Sequence, residues 1–237
     1  MANRSYDAVL FDLGNTLVSY YKPHDFHPIL KRSMAAIGAV VGEHGGSLDV
    51  DAAFEHAKTL NRERDDGRVW PLAERLSALI GETGVPSQQS MKKLIDAFLE
   101  PIFSTAQVDP QAIAVLEQLR ASGLKTAIVS NTPWGSPAEQ WRGELDRLGL
   151  LDRVDEVVFC VDVGWRKPSP QPFQRAMSLL RVSAARTVFV GDDVRWDVVG
   201  ARRVGIEPIL ISNGTVHEEG LKTIRELDEL MPLIAPI

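Results

Sequence analysis

Four short clusters of polar residues in this chain contain side chains that enzymes use for hydrolysis. The clusters are Asp12-Leu13-Gly14-Asn15-Thr16, Ser130-Asn131, Arg166-Lys167 and Gly191-Asp192-Asp193, with Asp197 shortly after the last of them. Carboxylates serve as nucleophiles and as ligands of hard metal ions, and a lysine stabilises negative charge. An aspartate, a hydroxyl, a lysine and an acidic pair therefore predict one active-site crevice, provided that the fold brings the clusters together.

Five short apolar runs are predicted to be the strands that position these clusters. The runs are Ala8–Phe11, Thr126–Ser130, Glu156–Cys160, Thr187–Val190 and Pro208–Ile211. Most are continuous rather than alternating, which is typical of parallel strands buried on both faces. Helix-length segments lie between the later runs, so we expect an α/β fold, a Rossmann-like doubly wound parallel sheet. Ligands of such sheets bind beyond the carboxyl ends of the strands, which is where the polar clusters stand.

The long stretch after the first predicted strand departs from this alternation, because it reads almost wholly as helix. The predicted helices are Phe26–Glu43, Asp49–Arg64, Leu72–Gly81 and Ser87–Phe103. A helical insertion that leaves at the end of the first strand lies over the ligand end of the sheet, as a lid does. We therefore predict a core domain over residues 1–17 and 105–237 and a second, all-helical cap domain over residues 18–104.

Composition and charge exclude several classes of function. The 237 residues carry a net charge of −6, so there is no basic surface of the kind that binds nucleic acid. No apolar run is long enough to span a membrane, and the polar N-terminus predicts no signal peptide. The single cysteine, Cys160, excludes an internal disulfide and a cysteine metal cluster. We expect a soluble cytoplasmic protein, a monomer or homodimer, that acts on a small-molecule substrate.

The four clusters in this order, with a helical insertion between the first and the second, resemble the haloacid dehalogenase-like hydrolase superfamily. The resemblance covers nearly the whole chain. It implies that Asp12 is the nucleophile and forms a covalent intermediate, and that Lys167 neutralises charge on the nucleophile and the transferring group. It also implies that Ser130, Asn131 and the region of Thr16 bind phosphoryl oxygens or orient the nucleophile.

The same resemblance implies a bound Mg²⁺. Its ligands would be the Asp12 carboxylate, the Gly14 backbone carbonyl and the Asp192 carboxylate, which are hard oxygen donors. Asp193 and Asp197 would lie outside this ligand set, where they bind bridging waters or orient Lys167.

One position departs from the family's phosphatases. They carry a second aspartate two residues after the nucleophile, which protonates the leaving group and then activates water, but this chain has Gly14 there. General acid/base catalysis typically contributes about 10²–10⁴ in rate, so the defect concerns proton transfer rather than the metal. His24, Asp25 and His27 follow the first cluster and are candidates for a substitute, with His24 the strongest.

Three functions remain open at this point. A phosphatase ranks first, cleavage of a phosphorus–carbon or carbon–halogen bond ranks second, and a phospho-ligand-binding protein without turnover ranks third. A Schiff-base route for phosphonates would need one of the lysines Lys22, Lys31, Lys58, Lys92 and Lys93. Candidate residues around the substrate are Trp70, His56, Arg62, Arg64 and Arg68 in the cap, and Trp134 and Trp165 at the rim.

Overall fold

The computed structural model describes residues 6–61, 63–81, 88–212, 214 and 219–234. Its strands are β1 (Ala8–Phe11), β2 (Val18–Ser19), β3 (Gln107–Val108), β4 (Lys125–Ser130), β5 (Glu156–Phe159), β6 (Thr187–Gly191), β7 (Glu207–Ile211) and β8 (Lys222–Ile224). Its α-helices are α1 (Phe26–Glu43), α2 (Val50–Leu60), α3 (Leu72–Ile80), α4 (Gln88–Phe103), α5 (Ala112–Ala121), α6 (Ala138–Arg147), α7 (Cys160–Val163), α8 (Pro170–Leu180), α9 (Val199–Arg203) and α10 (Leu230–Ile234).

The main sheet has six parallel strands in the order β5-β4-β1-β6-β7-β8. This confirms the predicted Rossmann-like α/β fold. The sixth strand, Lys222–Ile224, was not predicted, because its sequence offers no apolar run. The predicted third strand ends one residue early, since Cys160 begins α7. The Asp162 carboxylate accepts a hydrogen bond of 2.8 Å from the Phe159 N–H and so turns the chain out of the sheet at that point.

The two faces of the sheet carry separate apolar layers. In β1, Val9 and Phe11 point to one face and Ala8 and Leu10 to the other, and all four are fully buried. The first face packs against α5, α6 and α10, and the second against α8 and α9. Because a strand's side chains alternate between faces, only a sheet covered on both sides buries such a continuous run.

The helices α1 to α4 lie between β2 and β3. These two short strands pair antiparallel, with Val18 opposite Val108 and Ser19 opposite Gln107. The helical insertion therefore begins and ends at the same place. The helix predicted over Asp49–Arg64 is α2, which ends at Leu60, four residues early. Asp49 is its N-cap, and the Asp49 carboxylate accepts hydrogen bonds from the N–H groups of Asp51 and Ala52. The division into core and cap domains stays a prediction.

The loop between α2 and α3 contacts the segment that carries Lys167. The Arg166 N–H donates to the Gly67 carbonyl at 2.9 Å, and the Val69 N–H donates to the Gly164 carbonyl at 3.0 Å. Gly67 has a φ of +77°, and a Cβ there would lie 2.7 Å from the Ser169 Oγ, so this approach requires glycine. Within the described ranges, no helix has the length and apolarity to cross a lipid bilayer.

Candidate active site

Asp12 lies directly after β1, between the carboxyl ends of β4 and β6. Its N–H donates to the Val190 carbonyl at 2.8 Å, which continues the pairing of β1 with β6 by one residue. Ser130, the last residue of β4, donates its hydroxyl to Asp12 Oδ1 at 3.0 Å. The Lys167 Nζ donates to the same oxygen at 2.5 Å. Two donors on one carboxylate oxygen fix the orientation of the Asp12 side chain, which is 11% exposed.

Lys167 is buried between two carboxylates. Its Nζ lies 2.5 Å from Asp12 Oδ1 and 2.7 Å from Asp197 Oδ1. Burial alone would lower the pKa of Lys167, but the two carboxylates outweigh it and raise the pKa, so the amine stays charged. The Asn131 side chain accepts from the Lys167 N–H at 2.8 Å and donates to the Lys167 carbonyl at 3.2 Å. Asn131 therefore holds the backbone of Lys167 as well as facing the cavity.

The turn after β6 presents the acidic pair and Asp197. The Asp193 carboxylate accepts from the Trp196 N–H at 2.8 Å and caps a single π-helical turn, Val194–Val198. Asp197 Oδ2 accepts from the Asp193 N–H at 3.1 Å while its Oδ1 accepts from Lys167. A Cβ on Gly191 would lie 2.7 Å from the Asp197 Cβ, so this close approach requires glycine.

Asp12, Asp192 and Asp197 form a group whose carboxylate oxygens lie within 4.8 Å of one another. Both oxygens of Asp197 already accept hydrogen bonds, which suits an orienting role rather than direct ligation. Burial, and secondarily the charge of Asp12, raise the pKa of Asp192 to about 6, whereas a hydrogen bond from the Asn15 side chain lowers it. The Asp12–Asp192 pair thus carries negative charge that Lys167 only partly offsets, and its hard oxygen donors fit a small divalent cation.

A cavity of about 310 Å³ opens in front of Asp12. Of the predicted site residues, it brings together Asp12, Gly14, Ser130, Asn131, Lys167, Asp192, Asp193 and Asp197. The other lining residues are Leu13, Asn15, Tyr20, Tyr21, Ile102, Pro133, Trp141, Arg166 and Trp196. Thr16 does not line this cavity: it is 2% exposed, and its hydroxyl has no hydrogen-bond partner among the described residues.

The residues proposed as substitute proton donors lie away from this cavity. The His24 side chain is 75% exposed, and its Nε2 is 3.5 Å from Asp25 Oδ1. Asp25 lines a different cavity, and His27 is exposed against the Phe54 ring. None of the three therefore lines the cavity in front of Asp12.

The predicted cap and rim residues mostly serve packing. The Trp134 indole N–H donates to Asn61 Oδ1 at 2.6 Å, and Arg68 stacks 4.8 Å above the Trp165 ring. Trp70 lies under the Arg75 guanidinium at 4.8 Å. His56 is exposed, Arg64 pairs with Glu74, and Arg62 lies outside the described residues.

Among the residues that the sequence analysis missed, Asn15 and Arg166 line the cavity and Glu63 contacts Arg166. Asn15 has a φ of +55°, which asparagine tolerates better than most residues, and its position in the first cluster was a usable signal. Arg166 precedes Lys167 and is 9% exposed, with one guanidinium nitrogen donating to the Thr132 carbonyl at 3.0 Å. Glu63 lies 3.2 Å from the Arg166 Nε, and nothing in its local sequence indicated this contact.

Comparison with known proteins gives one family and several full-length relatives. The haloacid dehalogenase-like hydrolase family matches residues 6–205. The chain is 32% identical to a ribulose-1,5-bisphosphate 5-phosphatase from Halopiger xanaduensis, over 93% of each chain. It is 26% identical to a glyceraldehyde 3-phosphate phosphatase from Methanocaldococcus jannaschii, over 95% of this chain and 96% of that one.

A solved structure gives the same result for the fold. The HAD phosphatase from Thermococcus onnurineus superposes with a TM-score of 0.68 at 27% identity, over 97% of this chain and 98% of that one. The family match, the ordered clusters and the superposition all concern nearly the whole chain. The protein is therefore a hydrolase and belongs to the haloacid dehalogenase-like hydrolase family.

Proposed function

We propose that this chain is a Mg²⁺-dependent phosphatase of small phosphorylated metabolites, with Asp12 as its nucleophile. The observation that carries the proposal is the contact of 2.5 Å between Lys167 Nζ and Asp12 Oδ1, beside the Asp12–Asp192 pair whose negative charge Lys167 only partly offsets. A buried cation on a carboxylate nucleophile suits a dianionic phosphate ester, which a bare carboxylate would repel. The relatives named as phosphatases support the same reaction class.

The Asp12 carboxylate would attack phosphorus and form an aspartyl-phosphate, while the bond from phosphorus to the ester oxygen breaks and the leaving group departs as an anion that takes its proton from solvent. Ser130 and Lys167 hold one oxygen of that carboxylate, so the attacking group is oriented before the substrate arrives. Lys167 offsets the charge that develops on the phosphoryl oxygens, and Asp197 keeps the amine in place. Water then cleaves the aspartyl-phosphate, which returns Asp12 to its carboxylate and gives inorganic phosphate.

The residues that would hold Mg²⁺ are Asp12, Asp192 and the Gly14 carbonyl, with Asp193 and Asp197 outside them. When bound, the ion supplies the positive charge that lets the Asp12 carboxylate and a phosphate dianion approach. The protein's part is to aim both carboxylates at the cavity. The Asn15 hydrogen bond lowers the pKa of Asp192 against the effect of burial and so favours its ionised form.

The leaving group should decide which esters react well. Gly14 has no proton to give, and the described side chains around the cavity include no histidine. Burial raises the pKa of both Tyr20 and Tyr21, so neither hydroxyl is a ready acid. We therefore propose that aryl and acyl phosphates, whose leaving groups depart without protonation, react faster than alkyl phosphates.

Carbon–halogen cleavage is the less favoured candidate. Dehalogenases of the family are expected to work without metal, whereas Asp192 and Asp193 form an acidic pair at the cavity. The phosphatase proposal retains the expectations of a cytoplasmic enzyme, a monomer or homodimer, with a small-molecule substrate.

Phosphate release from 4-nitrophenyl phosphate, acetyl phosphate and glycerol 3-phosphate tests the proposal, with Mg²⁺ and with EDTA. We expect Mg²⁺-dependent release that falls by at least about 10³-fold in Asp12→Asn, since the nucleophile is lost. Asp51→Asn is the matched control, because that carboxylate is 80% exposed and pairs only with Lys31 among the described residues. No release from any ester, or release that Asp12→Asn leaves intact, contradicts the proposal.

A further inference from the structure

A second compartment of about 310 Å³ adjoins the cavity in front of Asp12. The residues that line both are Tyr21, Ile102, Asn131, Pro133 and Arg166. The second compartment is otherwise lined mainly by apolar side chains of the helical insertion, together with Ser33, Asn61 and Glu63. Among its described lining residues, Arg166 is the only one with a positive charge. A substrate that reaches from Asp12 into the second compartment therefore passes this guanidinium.

The guanidinium of Arg166 has an unused donor. Its NH1 nitrogen donates to the Thr132 carbonyl at 3.0 Å. Its Nε is buried and has no hydrogen-bond partner within the described part of the chain. Glu63 Oε2 lies 3.2 Å from this Nε, so the two groups form an ion pair, but the contact lacks the geometry of a hydrogen bond. Because a buried donor on a charged group is costly to leave unpaired, a bound acceptor would be stabilised at this edge of Arg166.

The charge around this donor is positive, because two guanidinium groups share one carboxylate. The Arg75 NH2 nitrogen donates to Glu63 Oε2 at 3.2 Å, the same oxygen that lies near Arg166. Burial lowers the pKa of Arg75, Glu63 raises it, and the charge of Arg166 lowers it again, so the two guanidinium groups repel each other. Arg75 is fully buried and does not line the compartment. The excess positive charge is therefore presented to a ligand by Arg166.

We propose that Arg166 binds a second anionic group of the substrate in this compartment, so that the enzyme prefers phosphate esters whose far end carries a carboxylate or another phosphate. The proposal rests on the proposed phosphatase function, because it assigns the part of the ester that lies away from Asp12. A guanidinium suits such a group, since its planar N–H donors match the oxygens of a carboxylate or phosphate.

The neighbours of Arg166 are compatible with a bound anion. Asn61 Oδ1 accepts from the Trp134 indole N–H at 2.6 Å, which leaves the Asn61 NH₂ group as a second donor in the compartment. Glu63 keeps the hydrogen bond from Arg75 when the anion accepts from the Arg166 Nε. The apolar walls then receive the carbon chain that joins the two anionic groups.

Three phosphate esters with the same three-carbon chain test the proposal on the unaltered enzyme. They are 3-hydroxypropyl phosphate, 3-phosphonooxypropanoate and propane-1,3-diyl bisphosphate, whose far ends are a hydroxyl, a carboxylate and a second phosphate. All three release an alkoxide, so the missing acid at Gly14 affects them alike. We expect kcat/KM for at least one anionic ester to exceed that for the hydroxyl ester by at least about tenfold, and the faster of the two identifies the group that Arg166 binds. If neither anionic ester is preferred, the assignment is overturned.

Variants of Arg166 test whether its charge causes the preference. Arg166→Gln keeps a donor for the Thr132 carbonyl but removes the charge, so the preference should fall below about threefold, mainly through KM for the anionic ester. Arg166→Lys keeps the charge without the planar group, so its preference should lie between the two. Each preference is a ratio measured on one preparation, so a loss of folded enzyme cancels. Equal preferences in the two variants, or a tenfold preference in Arg166→Gln, contradict the proposal.

Arg120→Gln is the matched control for these variants. Arg120 is exposed and lines neither compartment, so its loss should leave the preference unchanged. An equal fall of the preference in Arg120→Gln would mean that the net charge of the protein, rather than Arg166, selects the anionic ester.

Binding without turnover separates this proposal from the proposed function. Calorimetric titration of Asp12→Asn with the three esters, in excess Mg²⁺, should give about tenfold tighter binding of the preferred anionic ester, and adding Arg166→Gln should remove the difference. If the unaltered enzyme hydrolyses no ester but this pattern appears, the phosphatase proposal fails and the assignment of Arg166 stands. If hydrolysis occurs but all three esters bind Asp12→Asn equally, the assignment of Arg166 alone fails.

Discussion

Two glycines flank the active site, and their surroundings differ sharply. Gly191 ends β6, and a Cβ there would lie 2.5 Å from the Asp197 Cγ and 2.7 Å from its Cβ. Gly14 lies in the loop after β1, and a Cβ there would have no atom within 4 Å. Gly14 also lies outside the left-handed backbone region, unlike many of the turn glycines. Packing therefore requires glycine at position 191 but does not require it at position 14.

The difference shows that the two glycines beside the candidate site stand there for different reasons. The turn after β6 is crowded because Asp197 must reach Lys167 and the Asp193 N–H together. The loop after β1 leaves open space facing the cavity. The fold therefore leaves room for a side chain at position 14, where the proposed general acid is absent.

The largest expected effect comes from restoring a carboxyl group in that space. Gly14→Asp should raise kcat for glycerol 3-phosphate by about 10²–10⁴, because a carboxylic acid there protonates the departing alkoxide. The gain with 4-nitrophenyl phosphate should be much smaller, since that leaving group needs no proton. Parallel phosphate-release assays with the two esters measure the ratio.

Gly14→Asn is the control for this gain. It adds a side chain of nearly the same shape that cannot donate a proton in the same way, so it should show no preference for the alkyl ester. An equal gain with both esters for Gly14→Asp, or an equal gain in the asparagine variant, would show that something other than proton transfer had changed.

The fold was predictable from the sequence wherever hydrophobic pattern decided it. Strand β1 and helix α1 match their predicted bounds residue for residue. The errors lie where a local contact outweighs the pattern: Asp162 caps the chain at Phe159 and takes Cys160 out of the strand. The edge strand β8 has a mixed sequence, so only its pairing with β7 identifies it.

The candidate site was predictable where its members follow strand ends in one parallel sheet, as Asp12 and Ser130 do. Lys167 lies beyond α7, and Asn131 holds its backbone so that its amine reaches Asp12. The contact between Glu63 and Arg166 was not predictable, since it depends on how a helical insertion lies over the sheet. Thr16 shows the reverse case: it belongs to the first cluster, yet the turn buries it away from the cavity.

The second-largest expected effect is that of substituting Gly191, the glycine packed against Asp197. Gly191→Ala should lower the free energy of unfolding by about 1–3 kcal/mol, because an added methyl group overlaps Asp197 and the packed turn must shift. Displacement of Asp197 also moves Lys167, so phosphatase activity should fall by about 10²-fold. Urea unfolding and phosphate release on the same preparations give both values.

A double-mutant cycle shows whether the overlap is the cause. In Asp197→Gly the whole side chain that the methyl group overlaps is absent, so adding Gly191→Ala should cost less in unfolding free energy than it does alone. Additive losses would mean that Gly191→Ala acts through the backbone or another neighbour.

The smallest expected effect is that of Gly14→Ala, the same change as Gly191→Ala but made where there is open space. Gly14→Ala adds the same methyl group where nothing lies within 4 Å of it. Alanine restricts the unfolded chain more than glycine does, so the free energy of unfolding should rise slightly, by at most about 1 kcal/mol. The Gly14 carbonyl, the group proposed for the metal, is unchanged, so kcat and its Mg²⁺ dependence should stay within about twofold of the unaltered enzyme. If Gly14→Ala lowered kcat as much as Gly191→Ala does, bound metal or substrate would have to fill the space at Gly14. Position 14 would then be as constrained as position 191.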